Sequence, residues 1–432
     1  MADESSLTGL SALSAPSRAP VVGAGIIIII AILVIVQMLR GVPSASLTLT
    51  SSSAPLSFPG TLPALPWSPT GEEALAISGI GTIGTHGGNQ PEETWSVAKL
   101  MTAYIVLKAH PLAPATPGPT LSVTPADVAT YNSDVANGDS VVPVAAGETL
   151  TERQALEALL IPSGDNIAAL LANWVSGSET AFVAKMNAEA ASLGMNNTHY
   201  ADASGVNPAT VSTATDQLKL LETVWKVPTI RHITEMAQVT NLPAPSNCPS
   251  CIYNNDAMIG HYGFLGGKTG SSTNGSFSFV AQKTIGGESR LIFGSVMGQI
   301  GQSTPSLPMP PNANDSLSVI DQAEAAAYNL VQAMGSFPLG ESSLPSGSTL
   351  GSISSAWATG LKAVTSKPLS FYGYPGIHTS MTVRKDKLGT TLAAHQVVAT
   401  LTITVGYNST TVNLVSTKAL PAPSLTWKLT RL

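Results

Sequence analysis

Only two cysteines, Cys248 and Cys251, occur among 432 residues. A disulfide framework is therefore excluded, and any structural zinc would have to take most of its ligands from elsewhere. The seven histidines are scattered without metal-ligand spacing, and neither a metal nor a cofactor is expected. Charge is scarce as well: Asp, Glu, Lys and Arg make up 11% of the chain, against about a quarter of an ordinary soluble domain. The net charge of −6 comes without any basic block, which removes the electrostatic footprint of nucleic-acid binding. No internal repeat is found. Apolar residues, by contrast, reach 44%.

One apolar run is long. Residues 21–36 carry no charge, and the run continues through Gln37, Met38 and Leu39 to Arg40. About 20 such residues span the ~30 Å hydrocarbon core of a bilayer as a helix. The run reads as a single-pass membrane anchor over 21–40, with residues 1–20 as a short tail. The alternative is a signal peptide cleaved near Ser44 or Ser46, which would leave a secreted protein. A signal peptide has a shorter apolar stretch and a more basic flank than Arg18 alone provides.

Residues 41–70 are rich in Ser, Thr and Pro and read as a spacer, because such a composition buries too little apolar surface to offset chain entropy. A strand is expected over 74–83, interrupted by Gly79 and Gly81. A helix over 96–108 is closed by Pro111. Further helices are expected over 151–160 (capped by Thr151 and stopped by Pro162), 167–174 and 180–193. Strands follow over 276–282 and 290–297, then a helix over 321–334. Residues 336–352 form a second Gly/Ser/Pro linker. The tail, 353–432, shows strands over 377–383, 397–405 and 410–415. Strands at the two ends of the block 71–335, with helices between them, suit an α+β fold: one sheet with an inserted helical lobe, followed by a small all-β domain.

Three short motifs stand in order: Ser96-Val-Ala-Lys99, Ser163-Gly-Asp165 and Lys268-Thr269-Gly270. Ser96 and Lys99 are three residues apart at a helix start and share one face. The helix N-terminus disfavours the ammonium form of a nearby lysine, so Lys99 is suited to act as a base for the Ser96 hydroxyl. The plainer reading of this motif is a capping serine and a surface lysine. Ser163, in Leu160-Ile-Pro-Ser-Gly-Asp-Asn166, is either a proton relay or the N-cap of the following helix. Gly266-Gly-Lys-Thr-Gly270 is either a place of close ligand approach, with Lys268 and Thr269 holding a carboxylate, or a turn with an exposed lysine.

Taken as a set, these motifs resemble the low-molecular-weight penicillin-binding D-Ala-D-Ala carboxypeptidases, serine peptidase family S11. The likeness extends to Ser96-Val-Ala-Lys-Leu-Met-Thr-Ala103, Leu193-Gly-Met-Asn-Asn-Thr-His199, Asp202-Ala-Ser-Gly205 and Arg290-Leu-Ile. It covers residues 71–335 and, more loosely, the β-rich tail. The resemblance implies an antiparallel sheet with packed helices, of the serine β-lactamase/DD-peptidase type. It also implies an acyl-enzyme on Ser96, Lys99 as general base and Ser163 as relay. Asp165, Lys268, Thr269, Gly270 and Ser271 would bind substrate, with the backbone N–H groups of Ser96 and Ser271 as the oxyanion hole. The substrates would be peptidoglycan stem peptides, with β-lactam antibiotics as acylating inhibitors. Because that substrate lies outside the membrane, the catalytic domain is expected there, with residues 1–20 cytoplasmic.

One position departs from the family. Its second motif usually ends in Asn, where this chain has Asp165 and then Asn166. An ionised Asp cannot donate to a substrate carbonyl, so either Asp165 is accommodated by pairing or Asn166 serves. Outside the cytoplasm Cys248 and Cys251 are expected to form a local disulfide. Two rival functions remain: a β-lactamase on the same fold, which needs a loop glutamate that Glu179, Glu189 and Glu222 do not obviously supply, and a non-catalytic wall-binding protein.

Overall fold

The computed structural model describes residues 19–50, 56–239, 241–247, 253–300 and 319–431. Cys248 and Cys251, and so the expected disulfide, lie outside the described residues. A five-stranded antiparallel sheet forms the centre, in the order Gly81–His86, Glu72–Ile77, Glu288–Gln299, Gly275–Ile285, Phe264–Ser271. Its strands come from two distant parts of the chain, as expected. The single strand expected over 74–83 is instead a hairpin, turned by Gly79 at φ +76° and Gly81 at φ +101°.

The sheet is covered on both faces. Side chains alternate along a strand, so Ala74 and Ala76 join the core shared with helices Lys99–Ala109 and Ala214–Val224. Leu75 and Ile77 point the other way, to Ala323, Ala327, Leu330 and Val331 of helix Val319–Ala333. Phe264, Phe277 and Phe279 meet on that second face with ring centroids 5.2–6.0 Å apart. Gly294 leaves room for them, since a Cβ there would lie 2.1 Å from the Phe279 ring.

Between the two sets of strands lies the helical lobe. Helix Glu152–Leu160 starts at Thr151, whose hydroxyl accepts from Gln154 N while the Gln154 side chain returns to Thr151 N, a reciprocal cap. Helix Asp165–Ser176 follows after a short turn. Helix Pro125–Asn137, capped by Thr124 and Asp127, has no counterpart in the sequence reading because it buries no residue and so shows little apolar period.

The tail is β-rich as expected, but its sheet recruits residues read as linker. The order is Ser46–Leu49, Thr349–Ser355, Ala358–Thr365, Asn408–Ser416, Val397–Val405, Thr379–Lys385. Residues 46–49, assigned to the first spacer, pair with Thr349–Ser355. Farther along the spacer, Phe58 is buried against Gly373, and Trp67 stacks over Gly84. In the second linker, Gly340–Leu344 pairs with Leu369–Gly373. Both spacers are thus structured over these parts, held by isolated apolar anchors that follow no period.

Helix Ala19–Leu39 covers the apolar run, and Ile26 to Leu39 are largely exposed. Among the described residues no single helix is long and apolar enough to cross a membrane, and the apolar part Gly23–Leu39 is the shorter segment present. The chain's far end clamps this helix: the Arg431 guanidinium donates to the carbonyls of Gln37 (2.8 Å) and Arg40 (2.5 Å), and Gln37 donates back to Arg431 O at 3.0 Å.

Candidate active site

Ser96 stands in a 3-10 turn, Trp95–Ala98, that runs into helix Lys99–Ala109. The helix expected from residue 96 therefore begins with a tighter turn. Trp95 enters it at φ +48°, a left-handed value costly for a bulky residue, and its indole donates to Asn274 Oδ1 at 2.8 Å. A Cβ on Gly270 would lie 2.8 Å from Thr94 O and 3.0 Å from Ser96 N. The missing side chain is what lets the strand carrying Lys268 and Ser271 lie against the Ser96 turn.

Lys99 is fully buried, and its Nζ has three partners: Ser96 Oγ at 2.6 Å, Asp165 Oδ1 at 2.5 Å and the carbonyl of Ser204 at 3.2 Å. A neutral amine keeps two N–H bonds and one lone pair. With those two directed at Asp165 and Ser204, the lone pair of such an amine would be left to the Ser96 hydroxyl. The geometry thus matches a nucleophile beside an oriented base. A buried lysine is the opposite of the exposed one in the plainer reading of this motif.

Ser204 O is held there by the Asp202-Ala-Ser-Gly205 loop. Asp202 Oδ2 accepts from Ser204 Oγ (2.6 Å), Gly205 N (2.8 Å) and Val206 N (3.0 Å). Gly205, at φ +90°, lets the loop approach so closely that a Cβ would fall 1.9 Å from Trp95 O. The sequence showed this motif only as part of a family likeness. Its role in orienting Lys99 becomes visible once the loop is placed against the Ser96 turn.

Asp165 is not free to meet a substrate carbonyl in this arrangement. Its Oδ1 accepts from Lys99, its Oδ2 accepts from Ser140 N at 2.9 Å, and its own N–H donates to Ser140 O at 2.7 Å. Burial lifts the Asp165 carboxyl above its ordinary value, with Lys99 opposing. Asn166 is also occupied: its amide clasps the backbone of Val142, accepting from N at 3.0 Å and donating to O at 2.8 Å. Both side chains that the sequence offered for the second motif, Asp165 and Asn166, are thus engaged with groups of the chain itself.

Ser163 is buried at φ +66°, and its hydroxyl lacks a hydrogen-bond partner among the described residues. It does not cap the next helix, whose N-cap is Gly164. An orphaned buried hydroxyl on a left-handed non-glycine residue is a costly combination, of the kind that clusters at functional sites. It stands two residues before Asp165.

Lys268 and Thr269 are buried in the strand Phe264–Ser271, not in the turn with an exposed lysine that was the plainer reading of Gly266–Gly270. Lys268 Nζ donates to Thr269 O at 2.9 Å. Its ammonium is pushed down to about 7, chiefly by burial and then by Lys99, against Asp165 and Asp256. Ser271 is exposed at the strand's end.

The sequence profile of a D-alanyl-D-alanine carboxypeptidase family, peptidase S11, matches residues 84–300. A D-alanyl-D-alanine carboxypeptidase of Mycobacterium tuberculosis is 32% identical over 236 residues, 50% of this chain and 78% of the relative. Another, from Streptomyces sp. strain K15, is 28% identical over 298 residues, 64% of this chain and 97% of the relative. The crystal structure of a D-alanyl-D-alanine carboxypeptidase from M. tuberculosis superposes with a TM-score of 0.50 at 26% identity, covering 64% of this chain and 96% of that one.

Proposed function

The chain belongs to the S11 family of D-alanyl-D-alanine carboxypeptidases, and from that premise we propose that Ser96 attacks the terminal D-Ala-D-Ala bond of peptidoglycan stem peptides. It is a serine-type carboxypeptidase. Ser96 Oγ adds to the carbonyl carbon while its proton passes to Lys99. The oxyanion is received by the N–H groups of Ser96 and Ser271. The C–N bond then breaks, the leaving D-alanine amine takes a proton through Ser163, and water hydrolyses the Ser96 ester. Lys268 and Thr269 hold the terminal carboxylate, with Gly270 keeping the strand close. A β-lactam opens on Ser96 by the same addition.

The observation that carries this reading is the 2.6 Å contact of Lys99 Nζ with Ser96 Oγ, with Lys99 buried and fixed by two further acceptors. Labelling with a fluorescent penicillin tests it: Ser96→Ala is expected to abolish the label, and label on Ser96→Ala protein would overturn the assignment. A persistent acyl-enzyme is expected, because two of the candidate deacylating carboxylates are engaged elsewhere. Glu179 accepts from Ala203 N and Glu189 pairs with Lys108.

Helix Ala19–Leu39, apolar and largely uncovered, supports a membrane anchor with the catalytic domain extracytoplasmic and residues 1–20 cytoplasmic. N-terminal sequencing of protein from its native host distinguishes this from secretion: an intact start supports the anchor, and a start near residue 46 refutes it. The proposed boundaries are 71–335 for the catalytic domain and 353–432 for the β-rich domain, with 41–70 and 336–352 as connections.

A further inference from the structure

A cleft of about 390 Å³ opens where the tail sheet meets the central sheet. Its walls are the turn between strands Glu72–Ile77 and Gly81–His86, helix Ala214–Val224, and the turn between Val397–Val405 and Asn408–Ser416. In the sheet order Gly81–His86 stands four strand spacings from the Lys268 strand, roughly 19 Å at ~4.8 Å each. The cleft is therefore separate from the reaction described above.

Tyr407 stands on its wall with 80% of its surface exposed. The ring is nevertheless held in place. It rests on Gly81, where a Cβ would lie 2.5 Å from the ring. Its turn is tied down on both sides: Asn408 Nδ2 donates to Gly79 O at 2.7 Å, and Gly406 N donates to His378 O at 2.8 Å. A single exposed aromatic means little, but one fixed beside a cavity offers a flat apolar platform at small entropic cost. Glu222 adds a half-buried carboxylate that has neither a hydrogen bond nor an ion pair among the described residues. Burial lifts it above its ordinary value, with Lys226 opposing.

The lining carries one charge of each sign, Lys219 and Glu222, and so selects no ion. Lys219 is already spent on Gly194 O at 2.6 Å and Asp216 Oδ1 at 2.8 Å. What remains is an aromatic platform, the carboxylate of Glu222, the amide of Asn408 and the hydroxyls of Thr82 and Thr215. That set suits a neutral ligand with one apolar face and many hydroxyls, in a cavity of ordinary ligand-pocket size. A sugar ring has this chemistry: its C–H face stacks on an aromatic, and its O–H groups donate to a carboxylate. We propose that the cleft binds the glycan strand of peptidoglycan, with a sugar ring on Tyr407 and sugar hydroxyls on Glu222 and Asn408. The choice of glycan rests on the reading of stem peptides as substrate, since such peptides are carried on glycan strands.

The test is calorimetric binding of peptide-free glycan strands to the whole chain carrying Ser96→Ala, so that no peptide chemistry contributes. Tyr407→Ala should weaken binding roughly tenfold, and Tyr407→Phe, which keeps the ring, should bind like the parent. In protein with Ser96 intact, Tyr407→Ala should leave kcat and KM for a free D-Ala-D-Ala peptide unchanged and raise KM for glycan-linked stem peptides. A parent that binds no glycan, or a Tyr407→Ala variant that binds it equally well, would overturn the proposal. Displacement of the glycan by free stem peptide would do so too, by giving the cleft to the peptide. Should Tyr407→Ala fail to fold, Glu222→Gln keeps the shape of the wall, and its glycan affinity should still fall. Penicillin labelling separates the underlying reading: labelling of Ser96 without glycan binding refutes the cleft alone, and glycan binding without labelling refutes the carboxypeptidase reading and leaves the cleft standing.

Discussion

At Asp165 one carboxylate does two things that an amide would do differently. It accepts from Lys99 and from Ser140 N, and an ionised carboxylate has no proton to donate to a substrate carbonyl. Asp165→Asn supplies an amide donor at that place, so acylation by penicillin should be faster; an unchanged stopped-flow rate would refute a part for residue 165 in the reaction. Asn166→Ala should behave differently, losing the clasp on Val142 and about 1–3 kcal/mol of stability with acylation at the folded site nearly intact. Ser163 gives a third contrast. Ser163→Gly relieves a left-handed residue and removes an orphaned hydroxyl, so it should gain about 1 kcal/mol while turnover collapses; thermal melts with a D-alanine release assay check both. Ser96, Lys99, Ser163 and Lys268 were legible because their chemistry resides in side chains at short spacing. Ser204 O and the Ser140 backbone were not, because a carbonyl or amide belongs to every residue and only the fold says which one points at Lys99.

Among the elements, those with a clear apolar period or cap were readable from the chain: the Thr151 cap, the helix over 319–333 and the hairpin through Tyr407 all stand close to where the pattern puts them. The strand Phe264–Ser271 was hidden by its glycines. Gly267 packs directly on the neighbouring strand, where a Cβ would lie 2.1 Å from Ser278 O, and Gly266 approaches Thr234 O in the same way. Glycine chosen for close backbone approach looks, in sequence, like glycine chosen for a turn. The strand at 46–49 was hidden for another reason: its partner is some 300 residues away, and no local pattern reports a long-range edge. The loop 202–205 shows how an element of this kind supports chemistry. Gly205→Ala would drive a Cβ into Trp95 O at an unfavourable φ, costing roughly 2–3 kcal/mol. It would also move Ser204 O off Lys99. Urea midpoints should fall and penicillin labelling should slow together; a destabilised variant with full labelling rate would separate the loop from the site.

Buried acids are spread through the molecule, so their titration is a property of the whole fold. Glu73 lies in the central sheet, Glu152 at the start of a lobe helix and Asp256 behind the Lys268 strand; burial pushes each carboxyl up to about 7. Asp134 is raised to about 6 by burial and then by Asp139. In all four the folded chain binds the proton more tightly than the unfolded chain. Their stabilisation is therefore complete below the unfolded values near 4 and is lost as pH rises through 6 to 7. Lys268 acts with the opposite slope, but only between its folded value of about 7 and its ordinary 10.5. Between pH 5 and 7 the carboxyls act alone, and the melting temperature should fall steadily across that window. Glu152 gives the cleanest check, because both of its oxygens are buried without a partner among the described residues. Glu152→Gln should flatten the decline and melt higher than the parent at pH 8, while at pH 5, where the parent carboxyl is already protonated, the two should nearly coincide. A melting temperature that climbs from pH 5 to 7 in the parent would mean that these acids are ionised inside the fold, with water or a counter-ion reaching them.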